Sequence, residues 1–105
     1  MDAKETAIAT LRAFFTHLGG RQPVIQDSWD EYQHISADKH VGKRRYAVSA
    51  IVSDMCPEIV RVMSFDFRAK AKRLGMFTIQ TTPELAAKFT LEAIDSYEAE
   101  MKAAA

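Results

Sequence analysis

The sequence predicts an α+β fold: an N-terminal helix, a short second helix, a three-stranded antiparallel meander and a long C-terminal helix. Three observations carry this. Apolar residues recur at helical spacing near both ends of the chain. They alternate with polar residues in the middle, and glycine or proline stands where elements should start or stop.

Residues 3–18 read as an amphipathic helix, with Ile8, Leu11, Phe15 and Leu18 on one stripe and Phe14 widening it. Gly19-Gly20 then offers the permissive backbone of a C-cap. The short second helix starts at Ser28, where Ser28 and Glu31 match a capping box, and ends before Gly42. Tyr46, Val48, Ala50 and Val52 alternate with Ala47, Ser49 and Ser53, the pattern of a strand, with Ile51 out of step. In the next segment Ile59, Met63, Phe65 and Phe67 form the apolar set, interrupted by Arg61, against Val60, Val62, Ser64 and Asp66. Met76–Thr81 reads as a third strand. The alternative is an all-α chain with a helix over 57–74, started by Pro57 and stopped by Gly75. At the C-terminal end, Thr82-Pro83-Glu84 supplies an N-cap, a first-turn proline and an acid near the positive end of the helix dipole. Phe89, Ala93, Ile94, Tyr97 and Met101 are the expected buried stripe of that last helix.

At 105 residues, 48% hydrophobic and 10% aromatic, the chain is sized and composed for a single domain over 1–105 with one modest core. Its single cysteine, Cys56, excludes an internal disulfide and fits a reducing compartment. The first residues lack the apolar core of a signal peptide, and no apolar run approaches the roughly 20 residues of a membrane span. These features predict a cytoplasmic protein with no membrane contact.

The formal charge of zero conceals three blocks. Residues 1–38 hold three basic and six acidic side chains, residues 39–75 nine and three, and residues 76–105 two and five. A basic middle between acidic ends predicts a positive surface patch that concentrates anionic partners. If the first two strands pair across the turn Asp54-Met55-Cys56-Pro57, the numbers of facing residues add to about 112. Arg44 then faces Arg68 and Tyr46 faces Asp66, and the tip carrying Lys70, Lys72 and Arg73 lies at the same end of the sheet. Lys43, Arg44, Arg45, Arg68, Lys70, Lys72 and Arg73 are therefore the candidate binding patch. Facing cations destabilise a sheet unless a counter-charge is supplied. Solvated surface charge is the plain alternative.

Other chemistry is sparse. Asp30, His34 and Asp38 would share one face of the second helix, a spacing that more simply makes ion pairs than a metal site. Cys56 stands between Asp54 and Glu58, acids that oppose thiolate formation. His17 suits the last turn of the first helix, and Trp29 and Tyr32 suit a core or a lid. No metal, cofactor or catalytic residue is expected, and the chain reads as no enzyme.

The functional expectation is a small binding or regulatory protein whose cationic sheet end docks an acidic protein or a nucleic-acid backbone. One alternative is a small-molecule binding protein or minor enzyme with a pocket lined by Phe65, Phe67, Phe77 and Tyr97. Another is a structural, self-assembling subunit. Three strands leave two edges and helices cover one face, so a homodimer is expected.

Overall fold

The computed structural model describes residues 2–19, 22, 24–26, 33–36, 46–53, 55–66 and 73–104. Helix α1 (Ala3–Leu18) comes first, followed by β1 (Ile25–Gln26), β2 (Gln33–Ser36), β3 (Tyr46–Ser53), β4 (Cys56–Asp66) and β5 (Arg73–Thr81). Helix α2 (Pro83–Ala104) closes the chain. The strands form one sheet in sequence order, β1-β2-β3-β4-β5, with every neighbour antiparallel. Both helices pack on β4, with α1 also reaching β2 and β3 and α2 reaching β5. The result is an α+β fold with two layers.

Local chemistry sets the helix ends. Asp2 caps α1, its carboxylate accepting the Glu5 N–H at 2.8 Å. Gly19 ends the helix at φ 90, a left-handed region that costs glycine little, and its N–H donates to the Phe15 and Thr16 carbonyls. Gln22 then ties the departing chain back, donating to the Arg12 carbonyl and to Thr16 Oγ1. At the other helix, the Ala86 N–H donates to the Thr82 carbonyl at 2.8 Å, directly after β5. The predicted N-terminal and C-terminal helices are both present.

The middle of the chain is strand, so the all-α alternative with a helix over 57–74 is overturned. Both flanks of β4 find hydrogen-bonded partners, which a helix at that position would have to give up. The register also follows the sequence expectation: every pair from Tyr46↔Asp66 to Ile51↔Arg61 keeps the sum of 112. It then shifts, and Ser53 pairs with Cys56. Pro57 falls in this irregular stretch, where its missing N–H costs no regular ladder bond.

Among the described residues the short second helix is not shown. The middle of its predicted span, Gln33–Ser36, is strand β2, paired with β3 through Gln33↔Ser53, His34↔Val52 and Ile35↔Ile51. At Gln33–Ser36 the edge of β3 offers backbone partners that outweigh local helix propensity. Ser28 to Tyr32 lie outside the described residues. With β1 and β2 added, the predicted three-stranded meander becomes the larger part of a five-stranded sheet.

The core lies between helices and sheet. Leu11, Phe14, Phe15 and Ala7 of α1 are buried against Val48, Ala50, Val52, Val60 and Val62, with Ala86 and Ala87 from α2. Phe14 and Phe15 meet edge-to-face, their ring centres 4.8 Å apart. Two expectations about faces are corrected. In β4 the buried residues are Val60, Val62 and Ser64, while Ile59 and Met63 are half-buried and Arg61 is exposed. Register dictates this, because Ser64 and Val62 sit opposite Val48 and Ala50 and must share their face. In α2 the innermost residues are Ala86, Ala87, Thr90 and Ile94, while Phe89 is 41% exposed.

One side chain pins the layers together. Thr10 is buried, and its hydroxyl donates to the Pro57 carbonyl at 2.5 Å while also lying 2.9 Å from the Thr6 carbonyl.

Candidate functional site

The sheet register determines which chain segments meet. Tyr46 pairs with Asp66, and Asp66 pairs with Arg73, so the start of β3, the end of β4 and the start of β5 form one end of the sheet. Residue 45 is bonded to Tyr46, residue 67 to Asp66 and residue 72 to Arg73. Segments 39–45 and 67–73 hold eight of the 14 Lys and Arg residues and no Asp or Glu. Each cationic segment thus adjoins, in sequence, a strand residue at this sheet end. Lys43, Arg44, Arg45, Arg68, Lys70 and Lys72 themselves lie outside the described residues, and Arg73 is placed as the first residue of β5.

The aromatic pocket candidates are dispersed over three elements. Phe65 occupies the strand position opposite Ala47, and Phe77 that opposite Ser64. Tyr97 is half-buried on α2, one turn beyond Ile94, and Phe67 is outside the described residues. Where α1 meets the sheet, Leu11, Phe14 and Phe15 fill the space.

Described residues border concavities on both sides of the molecule. One, of about 630 Å³, lies between the helices, bordered by His17 at the end of α1 and by Glu84, Leu85, Ala87, Lys88 and Leu91 of α2. The other, of about 170 Å³, is on the sheet face away from the helices and is lined by Ile51, Ser53, Cys56, Ile59, Arg61 and Gln80. Sequence reasoning missed this second site. Its signal was Arg61, the single charge between Ile59 and Met63, which marks the side of β4 that neither described helix covers.

Cys56 is exposed. His34 is in β2 opposite Val52, so the helical face that would join it to Asp30 and Asp38 is not formed; both acids lie outside the described residues. Among the described residues no group of three or more His, Cys, Asp or Glu side chains is placed to hold a metal ion. Nor is any described helix long and apolar enough to cross a membrane. Trp29 and Tyr32 are outside the described residues.

Comparison with protein-family models, curated proteins and solved structures finds no match to this chain.

Proposed function

We propose that this chain is a non-enzymatic binding or regulatory protein that docks an anionic partner, an acidic protein surface or a nucleic-acid backbone, on the cationic end of its sheet. The observation that supports this reading is the row Tyr46–Asp66–Arg73, next to which, in sequence, stand two acid-free basic segments. Facing like charges repel, and a partner's phosphates or carboxylates relieve that repulsion while releasing counterions.

The test is binding of short single- and double-stranded oligonucleotides, and of a polyglutamate peptide, across a salt series. Nucleic-acid binding gives a log affinity that falls linearly with log salt, by about 0.9 for each duplex phosphate neutralised. Replacing Lys72 and Arg73 together by Glu then weakens binding and flattens the slope by about two phosphates' worth. A charge-reversed protein that binds every anionic probe as the parent does would sink the proposal.

Self-association is part of the same reading. Strand β5 is nine residues long and pairs only with β4 among the described residues, which leaves an edge open to a second copy. Sedimentation equilibrium reads this directly, with a homodimer as the expected species.

A further inference from the structure

The open face of the sheet carries a site separate from its cationic end. Ile51, Arg61 and Gln80 stand in one register row across β3, β4 and β5. The next β3–β4 pair is Ser53↔Cys56, and the register shifts between the two rows. Such irregularities break the even spacing of side chains and re-aim them. Here the break coincides with the depression of about 170 Å³ bordered by Ile51, Ser53, Cys56, Ile59, Arg61 and Gln80.

The lining combines two chemistries. Arg61 is exposed and has no ion-pair partner among the described residues. Its guanidinium offers parallel N–H donors that match a carboxylate, and the Gln80 amide and Ser53 hydroxyl can donate beside it. Ile51 and Ile59 are half-buried and supply an apolar wall. A single cation beside a hydrocarbon wall suits a monoanion with a short apolar tail better than a doubly charged phosphate. The volume equals about six water molecules of liquid, enough for an acid of a few carbons. A second copy docked symmetrically at this point would set Arg61 against Arg61, which the charge disfavours.

We propose that this depression binds a small aliphatic carboxylate, with Arg61 holding the carboxylate and Ile51 and Ile59 holding its tail. Cys56, the one cysteine of the chain, reports occupancy from the rim. The experiment follows the rate of Cys56 alkylation by uncharged iodoacetamide with pentanoate, pentanamide or inorganic phosphate at matched ionic strength. Millimolar pentanoate should slow alkylation several-fold and saturably, while pentanamide and phosphate leave it unchanged. Arg61→Gln should remove the pentanoate effect, read in that variant as the ratio of the rates with and without pentanoate, so that any change in its basal rate cancels. The variant with Lys72 and Arg73 changed to Glu should keep full protection, which separates this site from the cationic sheet end. Absence of protection, protection retained in Arg61→Gln, or equal protection by phosphate would each overturn the proposal.

Discussion

Two buried hydroxyls set the sharpest expectations about single residues. Ser64 Oγ and Thr90 Oγ1 are fully buried without a hydrogen-bond partner among the described residues. Thr10 and Thr16, by contrast, each place the hydroxyl on the carbonyl four residues earlier. Leaving a buried hydroxyl unpaired costs about 1–3 kcal/mol, and an apolar replacement of the same shape removes that cost. Thr90→Val should therefore raise the stability measured by urea unfolding by about 1 kcal/mol. A loss of similar size would mean that the hydroxyl is paired in solution. Thr10→Val should act in the opposite direction. It strips the Pro57 carbonyl of its donor, and a loss of about 1–2 kcal/mol is expected in the same assay.

Among the elements, β4 is the most informative because both of its edges are paired and its two faces meet different surroundings. Val62 is fully buried under the helices, whereas its neighbour Met63 is half-buried on the open face. Val62→Lys places a charge with no partner in the core and should abolish cooperative thermal unfolding. Met63→Lys can extend its ammonium into water and should cost about 1 kcal/mol or less. Equal damage from both would contradict the register. The strand's assignment was legible in its alternation, but its orientation was not. Ile59, Met63, Phe65 and Phe67 outweigh Val60, Val62 and Ser64 in hydrophobicity, so the segment alone points to the wrong face. Pairing with β3 decides the matter, since Val48 and Ala50 cannot be buried without carrying Ser64 and Val62 with them. Strand β2 is the complementary case. Gln33–Ser36 has no strong strand pattern of its own, and it becomes a strand because β3 presents an unpaired edge.

For the molecule as a whole, stability rests on the layer between α1 and the sheet. Phe14 and Phe15 are fully buried there, and truncating Phe14 to Ala should cost about 3–5 kcal/mol, a large share of what a domain of this size possesses. Phe89 has the same side chain on α2 but is 41% exposed, so Phe89→Ala should cost clearly less in urea unfolding, about 1–2 kcal/mol. The contrast reflects placement. Helix α2 turns Ala86, Ala87, Thr90 and Ile94 inward, small residues that let its first half lie close to β4 and β5. The helix continues for 22 residues, about 33 Å, well past Ile94.

Legible in the sequence were the two terminal helices, the glycine that ends α1, the three central strands and the pairing of β3 with β4, because periodicity, turn chemistry and pleat are local properties. The sequence also predicted that Tyr46 faces Asp66, since antiparallel register is simple arithmetic once the turn is located. Tertiary structure decided what depends on neighbours distant in sequence. Those decisions were the extension of the sheet through β1 and β2, the face that β4 turns to the core, and the exposure of Phe89. The depression around Arg61 belongs with them. It is assembled from three strands and a register shift, and no single stretch of the chain contains enough of it to be read.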